Sequence, residues 1–94
     1  MADPIRTRGA ASLALWLAAT RRTNRDIAVI LDVSESTIRS WVSGEKRPRR
    51  AAAERLARLT HVDPWEWQRT DGVEDIDGAT AQALRERAEG GARD

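Results

Sequence analysis

The side chains best suited to chemistry lie between positions 35 and 50 and form two groups. The first combines three serines with one acid and one arginine: Glu35, Ser36, Arg39, Ser40 and Ser43. The second is a run of four cations within five positions: Lys46, Arg47, Arg49 and Arg50. Neighbouring cations repel one another unless a polyanion covers them, and short polar side chains on a helix suit the base edges of a DNA groove. The pattern predicts binding to nucleic acid.

Catalysis and metal binding have no comparable group of residues. His61 is the only histidine and has no nucleophile or second ligand near it, so we expect it on the surface after a helix. The absence of cysteine excludes disulfides and thiolate metal sites. A calcium loop around the acidic run 74–78 would need oxygen ligands at positions 73 and 84, where this chain has Val73 and Leu84. We therefore predict no enzymatic activity, no cofactor and no metal.

Length and charge predict the organisation of the chain. Its 94 residues suffice for one domain with a modest core. Residues 1–69 hold 13 Arg/Lys against 8 Asp/Glu, whereas residues 70–94 hold 3 against 7. A basic body with an acidic tail is typical of a protein of which one part meets a polyanion. We predict a DNA-binding domain over 1–69 and an acidic linker with a short C-terminal tail over 70–94.

The apolar residues and the N-terminal segment indicate the compartment. The longest apolar stretch, residues 10–19, is too short to span a bilayer. Residues 1–6 lack the charged-then-apolar order of a secretory signal. We expect a soluble, cytoplasmic and nucleoid-associated protein without a membrane partner.

Helical spacing dominates the chain, and strand signals are nearly absent, with neither Phe nor Tyr present. We predict an all-α fold of five helices with a short, loosely docked sixth near the C-terminus. The predicted helices span roughly 9–20, 23–31, 34–43, 49–60, 64–67 and 79–89, with 70–78 as a linker. Thr23 with Asp26 is close to a capping box, Ser34 caps the third helix, Gly44 ends it, and Asp63-Pro64 begins the fifth.

The spacing of the larger side chains predicts the core. The predicted buried residues, in order of the first four helices, are Leu13, Trp16, Leu17 and Thr20; Ile27, Ala28 and Leu31; Ile38, Trp41 and Val42; and Ala52, Leu56 and Leu59. Trp65 and Trp67 flank Glu66, so both cannot face the same side. An exposed tryptophan there would mark a dimer or partner surface.

The segment 24–44, two helices joined by a short turn, resembles the lambda-repressor/Cro-like (XRE-type) helix-turn-helix family. The resemblance covers roughly residues 10–69 and rests on Ile27-Ala28, Val33-Ser34, Ser36-Thr37-Ile38, Trp41, Gly44, the basic loop ending at Pro48, and Val62-Asp63-Pro64-Trp65. The family usually has glycine at the first residue of the turn, where this chain has Asp32. Asp tolerates the left-handed backbone better than most non-glycine residues, so we expect the turn to form.

The resemblance implies that the third helix enters the major groove of double-stranded DNA. The implied base-facing residues are Glu35, Ser36, Arg39 and Ser40. The residues implied to contact phosphates or a neighbouring minor groove are Asn24, Arg25, Ser43, Lys46, Arg47, Arg49 and Arg50. Arg39 suits guanine, because bidentate arginine–guanine pairing is the commonest specific contact, and Glu35 can accept from cytosine N4.

Simpler interpretations stand beside these assignments. Glu35 is equally placed to stabilise the start of its helix through the helix dipole, or to pair with Arg39 four residues later. Ser36 and Ser40 would then be solvent-exposed residues without a partner. The cationic run would be an ordinary solvated loop.

These expectations together predict a sequence-specific transcriptional regulator, a phage- or plasmid-type repressor that binds a palindromic operator as a homodimer. One alternative is an antitoxin or adaptor in which residues 70–94 bind a protein partner. Another is a phage DNA-packaging or recombination accessory protein.

Overall fold

The computed structural model describes residues 6–91, with side chains through residue 89. Five α-helices and one 3₁₀ helix occupy this range: α1 (Arg8–Thr20), α2 (Asn24–Leu31), α3 (Glu35–Ser43), α4 (Arg50–Thr60), the 3₁₀ helix (Pro64–Gln68) and α5 (Val73–Gly91). No strand occurs within residues 6–91, and the predicted all-α fold class is confirmed. The fifth predicted helix is the 3₁₀ helix, and the sixth corresponds to α5. None of the helices described is long and apolar enough to cross a bilayer.

Polar caps set the limits of α2 and α3, as the sequence predicts. The Asp26 backbone N–H donates to Thr23 Oγ1 at 3.1 Å, and the Thr23 N–H donates to Asp26 Oδ2 at 2.8 Å, which completes the capping box. Ser34 Oγ accepts from the Thr37 N–H at 3.1 Å at the start of α3. Gly44 ends α3 with a φ of 85°.

The core lies where α1 to α4 and the 3₁₀ helix meet. Its largest fully buried aliphatic side chains come one from each of α1 to α4: Leu13, Ile27, Ile38 and Leu56. Trp41, 6% exposed, lies in the same cluster beneath α3. The apolar faces predicted for α2 and α3 are therefore confirmed, although Val42 is only half-buried.

Two predicted core faces need correction. In α1, Trp16 is half-buried and Thr20 is exposed, and the guanidinium of Arg22 lies 5.7 Å from the centroid of the Trp16 ring. In α4 the buried residues are Ala53, Leu56 and Thr60, whereas Ala52 and Leu59 lie half-buried at the edge of the core. Thr60 can enter the core because its hydroxyl donates to Leu56 O at 2.7 Å and so carries no unpaired donor.

The two neighbouring tryptophans face opposite sides, as expected. Trp67 is 3% exposed, and Trp65 is 70% exposed. Trp67 packs so closely on α1 that a Cβ at Gly9 would lie 2.6 Å from Trp67 Cγ. Glycine at position 9 is therefore what allows the 3₁₀ helix to approach the first turn of α1.

The C-terminal segment departs most from prediction. The predicted linker 70–78 is helical from Val73 onward, and α5 packs against α1 as one continuous helix. Glu74 and Asp75 in its first turn favour this, because negative charge near a helix N-terminus is stabilised by the helix dipole. The prediction of a short helix over 79–89, loosely docked after a linker, is wrong.

Arginines near the N-terminus hold the start of α5. Arg6 Nη1 donates to Asp77 Oδ1 at 2.6 Å, and Arg8 Nη1 donates to Asp71 O at 2.9 Å. Arg8 also pairs with Glu66 at 2.7 Å through its Nε. These contacts hold the segment just before α1 and its first residue against the beginning of α5.

Candidate nucleic-acid interface

A three-residue turn, Asp32-Val33-Ser34, joins α2 to α3. Asp32 has the left-handed conformation, with φ 56° and ψ 49°, at the position where the resemblance calls for glycine. The Val33 N–H donates to Ala28 O at 3.0 Å, and the Val33 side chain packs against the core. The turn therefore forms with aspartate in place of glycine, and it folds α3 back against α2.

The two faces of α3 differ sharply in exposure. Ile38 is fully buried and Trp41 nearly so. Ser36, Arg39 and Ser43 are exposed. Glu35 and Ser40 are half-buried at the borders between the two faces. The outward face therefore consists of polar side chains, of which Arg39 is the longest.

Glu35 and Arg39 form an ion pair along one turn of α3. Arg39 Nη2 donates to Glu35 Oε1 at 2.7 Å, and the two side chains are 65% and 42% exposed. The pairing expected as the simpler interpretation of Glu35 is therefore present. An exposed pair at this helical spacing contributes only about 0.3–0.5 kcal/mol, so another acceptor can replace Glu35 as the partner of the guanidinium with a small loss of free energy.

Two of the three serines of α3, Ser40 and Ser43, donate to the backbone of their own helix. Ser40 Oγ donates to Ser36 O at 3.0 Å, and Ser43 Oγ donates to Ser40 O at 3.2 Å. A hydroxyl that donates in this way keeps lone pairs for accepting. Ser40 is therefore better placed to accept from the amino groups of adenine or cytosine than to donate to a base.

The cationic loop follows α3 directly. The Lys46 N–H donates to Ser40 O at 3.1 Å, which holds the start of the loop against the end of α3. Lys46, Arg47 and Arg49 are exposed, and none of them forms an ion pair with another residue in the range 6–89. Arg50 Nε donates to Glu54 Oε1 at 3.3 Å, yet the Arg50 side chain is 93% exposed. The loop presents its positive charge to solvent.

The structure brings some of the predicted site residues together and separates others. Asn24, Glu35 and Arg39 line one open cleft of about 410 Å³ beside α3. Arg47 and Arg50 line a different cleft, next to the exposed Trp65. Arg25 is exposed in the first turn of α2 but does not line either cleft.

The cleft beside α3 also contains two arginines that the sequence reasoning did not assign to the site. Arg22 follows α1, and Arg87 lies on α5. The sequence carries no apolar signal for Arg87, but in the structure it belongs to a stripe of half-buried residues that recur at helical spacing along α5: Val73, Ile76, Asp77, Thr80, Ala83 and Arg87. That spacing places Arg87 on the face of α5 that packs toward the body of the protein.

Electrostatics at the start of α2 favour an ionised cap. The backbone N–H of Thr23, followed by the Thr23 hydroxyl, lowers the pKa of Asp26 below its ordinary value, and Arg22 and Arg25 lower it further. Hydrogen bonds to the charged form stabilise the carboxylate. The capping box is therefore ionised at neutral pH.

Comparisons with known proteins give no assignment for this site. Models of protein families, curated proteins and solved structures yield no match to the chain. Within the part of the chain that the structure describes, no three His, Asp or Glu side chains are grouped so that they could hold a metal ion. The chemistry of the site follows from the polar face of α3, the cationic loop and the arginine-lined cleft.

Proposed function

We propose that the chain is a sequence-specific transcriptional regulator that binds double-stranded DNA with α3 in the major groove. The observation that carries this proposal is the division of α3, in which Ser36, Arg39 and Ser43 face outward while Ile38 and Trp41 are buried. An α-helix fits the major groove, where each base pair offers a distinct pattern of donors and acceptors. The resemblance to lambda-repressor/Cro-like proteins supports the same arrangement.

Arg39 is the principal base-reading residue of this proposal. Its side chain is 65% exposed, and its guanidinium is held by Glu35 against the first turn of α3. Guanine O6 and N7 accept a bidentate arginine, so guanine can replace Glu35 as the partner. Glu35 then loses its cation and can accept from cytosine N4, which adds selectivity at a neighbouring position.

The cationic loop supplies affinity that does not depend on sequence. Lys46, Arg47 and Arg49 are exposed and lie just after α3. A duplex in contact with α3 brings its phosphates close to such a loop, and each neutralised phosphate releases condensed counterions. We assign these residues, with Arg50, to phosphate contact.

A homodimer on a palindromic operator completes the proposal. Helix-turn-helix repressors commonly bind two half-sites about one helical turn apart. Trp65 is 70% exposed, whereas its neighbour Trp67 is buried, and a large exposed indole is typical of a partner surface. We assign the contact between subunits to the surface around Trp65, with phage- or plasmid-type repression as the activity.

Selection of binding sites from a random duplex pool at two salt concentrations tests the proposal. We expect a palindromic consensus and affinities that fall as salt rises. Arg39→Ala should lose about 1–3 kcal/mol of discrimination at one base position. Arg49→Ala should weaken cognate and random duplexes equally and reduce the salt slope by about one unit.

These two variants serve as controls for each other, because each removes one exposed arginine near α3. Equal effects of both on every sequence would contradict base reading by Arg39. Binding that does not respond to salt would contradict the role of the loop. Absence of any duplex binding by the wild-type chain would overturn the proposed function.

A further inference from the structure

Three arginines from three separate segments line the cleft beside α3. Arg22 follows α1, Arg39 belongs to α3, and Arg87 belongs to α5. Among the residues that the structure describes, Glu35 is the only acidic one that lines the cleft with them. The lining therefore carries more positive than negative charge, although α5 itself is predominantly acidic.

The positive charge of the cleft is only partly neutralised within the described residues. Arg39 pairs with Glu35 at 2.7 Å. Arg22 lies over the ring of Trp16, which attracts a cation without neutralising its charge. Arg87 is half-buried and forms no ion pair with any residue from 6 to 89. Arg22 and Arg87 thus line one cleft and have no anionic partner among the described residues.

The polar groups next to these arginines suit an anion with oxygen acceptors. Thr23 and Asn24, at the start of α2, also line the cleft. A helix start carries positive partial charge, and guanidinium groups bind phosphate oxygens in a fork-like geometry. An anion in the cleft would meet donors from the connection between α1 and α2, from the start of α2 and from α5.

The position of the cleft relative to α3 identifies the anion. The cleft lies along one flank of α3, where it is lined by Glu35, Val42 and the exposed Arg39, whereas Ser36 and Ser43 do not line it. When α3 lies in the major groove, the sugar–phosphate strand that borders the groove runs past one flank of the helix. We propose that a backbone phosphate of the DNA binds in this cleft and that Arg87 of α5 donates to it, together with Arg22.

This inference rests on the proposed function and extends it to the C-terminal helix. It places one residue of α5, Arg87, at the DNA interface, although α5 is the most acidic of the described helices. The remaining arginine of α5 within the described side chains, Arg85, is exposed and donates to Gln82 Oε1 at 2.8 Å. Arg85 does not line the cleft. It therefore provides a matched control on the same helix.

The test compares Arg87→Gln with Arg85→Gln, because glutamine keeps part of the alkyl chain and both variants remove one charge. Affinity for a duplex is measured by fluorescence anisotropy over a range of salt concentrations. We expect Arg87→Gln to reduce the slope of log affinity against log salt by about 0.9, equally for selected and random duplexes, and Arg85→Gln to leave the slope unchanged. Arg22→Gln should behave like Arg87→Gln, and circular dichroism checks that all variants are folded.

The outcomes separate this inference from the function on which it rests. If Arg49→Ala lowers the slope but Arg87→Gln and Arg85→Gln have the same effect as each other, the phosphate site is overturned and the proposed function stands. If the wild-type chain binds no duplex, both are overturned. A third outcome is that inorganic phosphate, at matched ionic strength, raises the melting temperature of the wild type but not of Arg87→Gln, while Arg87→Gln and Arg85→Gln give the same salt slope for DNA binding. In that case the cleft binds free anions, and the assignment to DNA is overturned.

Discussion

The α2–α3 unit (residues 23–44) and α5 are held in place by different kinds of contact. Contacts a few positions apart set the limits of α2 and α3: Thr23 with Asp26, Ala28 with Val33, and Ser34 with Thr37. Contacts between distant parts of the chain hold the start of α5: Arg6 with Asp77, and Arg8 with Asp71. Local chemistry therefore shapes the polar face of α3, whereas long-range packing creates the cleft beside it.

This difference between local and long-range contacts separates the residues proposed to give sequence specificity from a residue proposed to add affinity for DNA. The Glu35–Arg39 pair lies within one turn of α3 and does not depend on any other helix. Arg87 reaches the same cleft only because α5 packs against α1. The proposed base reading therefore depends on the local unit, and one of the proposed phosphate contacts depends on the tertiary arrangement.

The largest expected effect comes from breaking the packing of the α2–α3 unit. Ile38 is fully buried beneath α3, so Ile38→Ala leaves a cavity and should lower the free energy of unfolding by about 2–5 kcal/mol. Val29→Ala, at a position 74% exposed on α2, should change it by less than about 0.5 kcal/mol. Urea titration followed by circular dichroism measures both. Equal losses would contradict the assignment of Ile38 to the core.

An intermediate effect is expected where the 3₁₀ helix meets α1. An added Cβ at Gly9 would lie 2.6 Å from Trp67 Cγ and 2.8 Å from Trp67 Cε2. Gly9→Ala should therefore lower the free energy of unfolding by about 1–3 kcal/mol through overpacking. Gly78→Ala in α5 is the matched control, because a Cβ there meets nothing within 4 Å. It should raise the free energy of unfolding by about 0.5–1 kcal/mol, as alanine favours a helix interior.

The expected changes in unfolding free energy have opposite signs for Gly9→Ala and Gly78→Ala, which sharpens the comparison between the first turn of α1 and α5. Both are measured by urea unfolding of the full chain under one set of conditions. Stabilisation by Gly9→Ala would show that Trp67 does not pack against the first turn of α1. Destabilisation by Gly78→Ala would contradict a continuous helix through residues 73–91.

The smallest effect is expected from the charge of the capping box. The pKa of Asp26 is lower in the folded chain, mainly through the hydrogen bond from the Thr23 N–H. The ionised carboxylate therefore stabilises the fold above the pKa of an unfolded aspartate, and this stabilisation is lost as the pH falls through the folded value. Asp26→Asn should be less stable than the wild type at neutral pH, and the difference should vanish in strong acid. A difference in unfolding free energy that does not vary with pH would contradict the role of the charge.

Local signals in the sequence predicted the α2–α3 unit closely. Thr23, Ser34 and Gly44 mark its limits, because cap residues satisfy backbone groups only a few positions away. Asp32 adopts the left-handed conformation that the turn requires. The same approach failed for residues 73–78, where an Asp- and Gly-rich composition suggested a linker. There the helix dipole and the Arg6–Asp77 pair favour a helix that composition alone does not predict.

The candidate site was predictable to the extent that it lies on one element. Glu35, Arg39 and the exposed serines follow from the spacing of α3 around Ile38 and Trp41. Arg22 and Arg87 were not found in this way, because they are far apart in sequence and meet only across packed helices. The burial of Thr60 in place of Leu59 depended likewise on packing, together with a hydrogen bond within α4.

The sequence by itself determined the all-α fold, the limits of α2 and α3, and which side of α3 is polar. These properties depend on caps, turns and helical spacing within a few residues, so the chain encodes them locally. Only the tertiary structure decided that α5 is one long helix on α1 and that Arg22, Arg39 and Arg87 share a cleft. The physical reason is that these placements depend on side-chain packing and ion pairs between segments far apart in sequence, such as Arg6 with Asp77.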